Sequence, residues 1–384
     1  MRQNNLSIFN SKNKIKFPQK VIKVIKTSFW FMFCLALFDI GINLLFPYPS
    51  DPLNISPGQL NLYFDYGRSI EGKVFRQLGE TDEKSSLLSQ AGWLQPQDWK
   101  KLPSQPEKKE NLLIASYGMS FSNQVCEAMK KIDPNLTLRL IAGPAAPPNH
   151  SFSAYLLDRK YNQANVVIFA ILASSVQGLD TMSGMTWGAE VPPSFTYPKY
   201  QIKEQKLIAI QPKINSLIDL REAKKEPLKR QEFIQQLQQN DRFYNLFTFH
   251  QNFLDSSSMI RLIRRSFSQN FKFSVNRRIH TEKGFNLDWE GIAVLKLMIQ
   301  EFSKTAQADG KLPIVLLLND QGYDDHLFQA LKTTLEAESI PYVSTHQIVS
   351  PTDQNNFVGD GHFTLEANQK IAQAVFNVIE QNQK

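Results

Sequence analysis

From residue 111 onward the chain alternates short apolar runs with segments whose apolar residues recur at helical spacing. Residues 111–126 read NLLIASYGMSFSNQVC: an apolar run that predicts a buried strand, then Ser122-Asn123 as a helix start, with Val125, Met129 and Ile132 on one helical face. Further strands are predicted over 138–143 and 166–172. After a long interruption come a helix over 289–307, a strand over 313–318, a helix over 325–337, a strand over 340–346 and a last helix through Leu365, Ile371, Val375 and Val378. Strands alternating with helices favour an α/β fold, a parallel sheet covered on both faces with its chemistry at the carboxyl ends of the strands.

The apolar stretch over 28–46 has no such alternation. It is about the length a helix needs to cross a bilayer, and its polar interruptions are Asp39 and Asn43. No small-x-small cleavage site follows and Pro47-Tyr48-Pro49 closes it, so an uncleaved signal anchor is expected rather than a removed signal peptide. Asp39 in mid-membrane would cost up to roughly 3 kcal/mol without a partner, and it hints at a partner helix or membrane protein.

Charge sharpens this division. The net charge is +7, and the first 26 residues hold seven basic side chains (Arg2, Lys12, Lys14, Lys16, Lys20, Lys23, Lys26) and no acid. The rest of the chain is balanced, so the high isoelectric point belongs to the tail and does not argue for nucleic-acid binding. The positive-inside rule places that tail in the cytoplasm and the remainder in the periplasm or outside the cell.

The expected organisation is a basic tail over 1–26, a transmembrane anchor over 27–47, a helical arm and linker over 48–110, and an α/β domain over 111–384 interrupted by a helical insertion at about 187–285. Ser56-Pro57 reads as the start of a helix running to about Leu78. Residues 79–110, rich in Glu, Gln, Lys, Ser and Pro, read as a linker or surface arm with Trp93 and Trp99 as docking points. Over 201–285 there are 16 basic and 8 acidic residues, and Met259-Ile260-Arg261-Leu262-Ile263-Arg264-Arg265 segregates apolar from basic faces on a helix. The insertion is either a solvated helical excursion or a lid that holds an anionic polymer or lipid headgroups near the site. Phe243, Tyr244, Phe247 and Phe249 then either line a sugar or acyl site or pack in a core.

Two loops carry chemistry. Gly118-Met119-Ser120 stands at the strand-to-helix turn, where a serine hydroxyl projects above the sheet edge beside free backbone N–H groups and a positive dipole end. Gly359-Asp360-Gly361-His362-Phe363-Thr364 sets a carboxylate and an imidazole on one short loop before the last helix. A serine hydroxyl is a poor nucleophile until a base takes its proton and a carboxylate fixes the tautomer of that base.

The two segments resemble the first and last blocks of the SGNH/GDSL hydrolase family, with G-M-S standing where the family has G-D-S. The resemblance implies a three-layer α/β/α domain in which Ser120 is the nucleophile, His362 the general base and Asp360 the group that orients the imidazole. The family usually ends in Asp-x-x-His; here position 359 is Gly and the acid lies two residues before the histidine, a spacing found in related alginate-acetylation proteins, where it precedes the serine in the chain. Asp353 is the fallback acid. By the same resemblance Gly143 is the oxyanion-hole glycine of the second block, followed by His150 and Ser151, which are placed to face the cleft. The third block, G-x-N-D, is missing: the strand over 166–172 continues as Ala173-Ser174-Ser175, so Ser174 or Ser175 stands in for the asparagine. Asn319-Asp320 comes too late in the chain for that block and reads as a strand-end turn.

Six scattered histidines without ligand spacing signal no metal site and no cofactor, and Cys34 and Cys126 are not placed to pair. The resemblance implies a membrane-anchored serine esterase that removes acyl groups, acetyl above all, from an envelope or exported glycan or lipid. An O-acyltransferase using the same triad, and a non-catalytic polysaccharide-binding protein, are the alternatives.

Overall fold

The computed structural model describes residues 18–49, 51–53, 58–188 and 190–382. The basic residues before 18 and the Ser56-Pro57 helix start lie outside the described residues. The chain begins with α1 (Gln19–Leu45), then α2 (Gln59–Asp65), α3 (Ile70–Gln77), α4 (Leu87–Gln90) and α5 (Pro96–Trp99). The sheet domain opens with β1 (Leu113–Gly118), α6 (Ser120–Ile132), β2 (Thr137–Ala142), α7 (Pro148–Asp158) and β3 (Val166–Leu172). The interruption holds α8 (Gly184–Trp187), the hairpin β4 (Lys199–Lys203) and β5 (Lys206–Ile210), α9 (Leu217–Lys225), α10 (Pro227–Asn240), α11 (Leu246–Phe249), α12 (Ser258–Asn276) and the short hairpin β6 (His280–Thr281) and β7 (Gly284–Phe285). The domain closes with α13 (Glu290–Ala308), β8 (Leu312–Leu318), α14 (His326–Ala337), β9 (Tyr342–Ser344) and α15 (Leu365–Asn382).

Five strands form one all-parallel sheet in the order β2-β1-β3-β8-β9. Successive side chains point to opposite faces. Leu113, Ala115, Tyr117, Val167, Phe169 and Ile171 therefore pack towards α7, α13 and α14, while Ile114, Ile168, Ala170, Ile314 and Leu316 pack towards α6 and α15. Strands covered on both faces read as continuous apolar runs, which is why β3 and β8 were legible as strands. The strand order reverses between β1 and β3, the place where doubly wound sheets open a crevice at the carboxyl ends of the strands. Ser120 follows β1 at that point.

Outside the sheet, the region before β1 and the interruption share a third core. Ile70, Val74 and Phe75 of α3 and Trp93 pack with Phe195, Tyr197, Leu220 and Leu237. Residues 79–110 are thus folded against the rest of the protein: Trp93 and Trp99 are buried, and Trp93 donates its indole N–H to the Ser89 carbonyl at 2.8 Å. The single helix expected up to Leu78 is broken in two. A Cβ at Gly67 would lie 1.7 Å from the Arg261 carbonyl oxygen, so the missing side chain lets the chain pass close over α12, and Ser69 then caps α3 by accepting from the Gly72 N–H. The interruption is likewise not wholly helical, since it carries two hairpins.

The apolar helix α1 is long and apolar enough to cross a membrane. Its first two turns carry Lys20, Lys23 and Lys26, and its later turns meet the folded domain along Leu35, Asp39, Ile42, Asn43 and Phe46, one helical face. Asp39 Oδ1 accepts from the Met259 N–H at 3.0 Å and from the Ser258 hydroxyl, in the first turn of α12, whose N-cap is Ser257. Asn43 Oδ1 accepts from Arg261 Nη2 at 2.8 Å. The helix partner that Asp39 calls for is therefore supplied from within the chain.

The basic run of α12 is not a solvated face. Arg261 and Arg264 are buried, Arg261 near Asp65 and Asn43 and Arg264 paired with Asp255. α12 packs against α1, α2, α11 and the turn over Phe253–Ser256, and Arg261 and Arg264 turn to Asn43, Asp65 and Asp255 rather than forming a lid over Ser120. Phe243 and Phe249 are buried in the cores rather than lining a site.

Asp241 ties this region together: its carboxylate accepts from the Thr186 hydroxyl at 2.8 Å and the Phe243 N–H at 2.9 Å. Burial pushes its carboxyl up from 3.8 to about 7, against the lowering effect of those bonds. For an acid raised on folding, stability is fully present below the unfolded value and is lost as pH rises through the folded one. Relative to Asp241→Asn, the native protein should therefore lose stability as pH climbs from about 4 to about 7, measured by chemical denaturation of both at a series of pH values. Parallel curves across that window would contradict the assignment.

Candidate active site

The helix that follows β1 starts at Ser120, two residues before the position expected from the sequence. Ser122 serves as an internal cap: its hydroxyl accepts from the Met119 N–H at 3.0 Å and donates to the Met119 carbonyl at 2.7 Å. Ser120 consequently occupies the first helical position and is exposed, at the positive end of the α6 dipole. Gly118 permits the tight turn, since a Cβ there would fall 2.4 Å from Ser122 Oγ and 2.9 Å from Ala170 Cβ. Met119, where the resembled family has Asp, is buried among the apolar side chains between the sheet and α6.

His362 arrives from the other end of the chain. Its loop closes through Val358 N–H to the His362 carbonyl at 2.8 Å and Gly361 N–H to the Val358 carbonyl at 2.9 Å, with Gly361 at φ +87°, a conformation that favours glycine. The imidazole stacks on Phe121 with ring centroids 4.4 Å apart, and Phe121 meets Phe363 edge-on at 5.5 Å. This support sets His362 Nε2 2.7 Å from Ser120 Oγ. That is hydrogen-bond distance for a nucleophile and its base.

Asp360 completes the group loosely. Its Oδ1 lies 3.0 Å from His362 Nδ1 and also accepts the His362 backbone N–H at 3.1 Å. The Nδ1 contact is close but off the line of a good hydrogen bond, because a carboxylate two residues before the ring is drawn back to the backbone N–H of its own turn. The backbone N–H of His362, and then its ring, hold the Asp360 carboxyl below the usual range. Its side chain is 70% exposed. Asp353 does not approach the ring; it caps its own turn by accepting from the Asn355 N–H at 3.0 Å.

The expected oxyanion donors are engaged elsewhere. Gly143 N–H reaches the Gly118 carbonyl at 3.4 Å, extending the β1–β2 ladder, and Gly143 is crowded by Gly92 and His150. Ser175 is buried and donates its hydroxyl to the Leu172 carbonyl at 2.8 Å. Ser174 gives Asp320 its backbone N–H at 3.1 Å as well as a side-chain hydrogen bond. The N–H groups of Ser120 and Phe121 have no intrahelical acceptor and remain at the site.

His150 does not face the cleft. It is buried, bonded through Nε2 to the Gly92 carbonyl at 2.7 Å, and burial pushes it down to about 4. Ser151 is buried beside it.

One contributor was missed in the sequence. Phe121 gave no signal beyond being aromatic and next to the serine. Asn319-Asp320 follows the end of β8, as the strand-end reading expects; Asn319 is fully buried, tied to Ser344 and Thr345, and burial raises the Asp320 carboxyl. Among the described residues no cluster of His, Cys, Asp and Glu could hold a metal ion. Among the described residues, the two cavities of about 600 Å³ lie between Tyr66 and α12 and between Leu94 and β5, away from Ser120 and His362. The pair stands on an open surface.

No protein-family model matches the chain, and no curated protein or solved structure is significantly similar to it.

Two consequences follow from this geometry. Gly118→Ala should overpack the turn and cost about 1–3 kcal/mol in chemical denaturation; an unchanged midpoint would mean that the turn has room. In 15N spectra of the neutral His362 imidazole the proton should sit on Nδ1, with Nε2 free to accept from Ser120. Asp360→Asn should only partly shift that tautomer, because the amide oxygen can still accept from Nδ1; complete inversion would give the Asp360 charge the dominant role.

Proposed function

We propose that this protein is a serine ester hydrolase of SGNH-like type, held at a membrane by α1 with its α/β domain outside the cytoplasm. The observation that carries the reading is the 2.7 Å contact between Ser120 Oγ and His362 Nε2, at a helix N-terminus on the switch point of a parallel sheet.

In this reading His362 Nε2 takes the Ser120 proton as Oγ bonds to the acyl carbon. The tetrahedral oxyanion is held by the Ser120 N–H and the positive end of α6. The carbon–oxygen bond to the alcohol breaks, the alcohol leaves with the proton from Nε2, and water repeats the sequence to release the acid. With Gly143, Ser174 and Ser175 engaged elsewhere, the oxyanion is short of donors. Loss of one such donor costs roughly 10²–10³ in turnover, so a slow enzyme is expected.

The open surface bears on substrate. With Ser120 exposed and the two cavities of about 600 Å³ lined by other residues, a short acyl group such as acetyl fits best, carried on a large alcohol such as a glycan. The same openness favours a second reading, acyl transfer, in which a sugar hydroxyl replaces water at the second step. The basic residues at the start of α1 favour a cytoplasmic tail and an external domain.

A fluorophosphonate serine probe should label the full-length protein in detergent, and labelling should vanish in Ser120→Ala. In His362→Ala it should slow by on the order of 10²–10⁴. Absence of labelling in the native protein sinks the enzyme reading. With labelling in hand, loss or gain of glycan acetyl on deleting the protein separates transfer from hydrolysis.

A further inference from the structure

The first half of α12 is inside out for a helix at a water-facing surface. Arg261 and Arg264 are each 1% exposed, whereas Ile263 and Phe267, one turn apart, are 56% and 42% exposed. In water the reverse is expected, with arginines outward and the apolar stripe towards the core. The elements packed against α12 share the pattern: Leu60 and Tyr63 of α2 and Phe253 just before α12 are all exposed.

The place of α12 in the molecule explains this inversion. Its first turn is bonded to Asp39 and Asn43 of α1, whose own apolar side chains from Phe29 to Phe38 are largely exposed. If α1 is the membrane anchor, on which this inference rests, the depth of that junction follows from length. The last charge before it is Lys26, and from there to Asp39 the helix rises only about 18–20 Å, against roughly 30 Å of hydrocarbon. A span beginning after Lys26 ends near residue 46. The attachment at Asp39 and Asn43 then lies roughly 5–10 Å inside the far boundary, the depth at which interfacial helices lie.

We infer that α12, with α2 and the turn at Phe253, lies in the headgroup and acyl boundary of the leaflet opposite the basic tail. Ile263 and Phe267 face lipid, and the arginines turn inward to Asp65, Asp255 and Asn43. The anchor and the domain then enter the bilayer as one unit. An apolar stripe outside and paired arginines inside is what that location requires, because an unpaired charge facing acyl chains is far more costly than one facing water.

The test uses the full chain in vesicles of phosphatidylethanolamine and phosphatidylglycerol. Single cysteines are introduced as Ile263→Cys, Phe267→Cys, Leu37→Cys and Ile132→Cys in a Cys34→Ser background and spin-labelled; Cys126 is buried, its thiol pushed up to about 12, and stays unlabelled. Collisions with oxygen, which partitions into lipid, are compared with collisions with a polar nickel complex. The labels at 263 and 267 should favour oxygen severalfold over nickel, as at 37, with 132 the reverse. Nickel-dominated collisions at 263 and 267 with oxygen-dominated collisions at 37 overturn the immersion of α12 and leave the anchor intact. Nickel dominance at all four positions removes the anchor and the proposal together. Labels at 263 and 267 shielded from both colliders, and freed on diluting the protein in lipid, assign the face to a second copy and overturn the proposal as well.

Discussion

Residues 242 apart in sequence meet because α6 and α15 pack side by side on one face of the sheet. Val125 and Met129 of α6 and Ile371 and Val375 of α15 are fully buried there, and each such side chain contributes roughly 1.5–3 kcal/mol. The Ser120–His362 hydrogen bond, on the order of 1 kcal/mol, is too weak to organise the region. Packing sets the distance, and the bond reports it. The same packing carries Phe121 under the imidazole, so the side chain after the serine belongs both to the apolar core and to the support of the base.

That support offsets an acid in an awkward position. A carboxylate two residues before the histidine is captured by the backbone N–H of its own turn, and at 70% exposure its pull on the ring is screened by solvent and salt. Stacking on Phe121 is indifferent to ionic strength. Orientation of the imidazole therefore rests on an apolar contact more than on charge. Activity resting on this site is expected to tolerate salt better than a site ordered by a buried carboxylate.

The sheet and the two chemical loops were legible in the sequence because their signals are local. Apolar runs such as 166–172 mark strands buried on both faces, Gly118-Met119-Ser120 sits where β1 ends, and Asp360-Gly361-His362 lies just before α15. The engagement of the oxyanion candidates was not legible, since it depends on where a neighbouring strand or turn delivers an acceptor: Gly118 for Gly143, Asp320 for Ser174, Leu172 for Ser175. Nor was the fate of the basic run. Arg261 and Arg264 read as surface charge until α2, α1 and the turn at Asp255 are folded around them, and Gly67, whose missing side chain lets α12 come close, looks in sequence like any turn glycine.

The buried arginines are hard to justify as stabilisers. Apolar replacements of buried ion pairs are often as stable, and here Arg261 Nε and two N–H-bearing nitrogens of Arg264 are buried without an acceptor among the described residues. What the network supplies is direction. Asp39 and Asn43 meet the first turn of α12 in one rotational setting of α1 only, since a slip of one residue turns the helix by about 100° and carries both side chains off their partners. In a poorly hydrated junction such a slip would strand a carboxylate and a guanidinium. A purely apolar contact would permit many settings of comparable energy. The polar junction thus converts an apolar segment, on its own a loose tether, into a fixed strut, and so fixes the direction in which the Ser120 surface faces relative to α1.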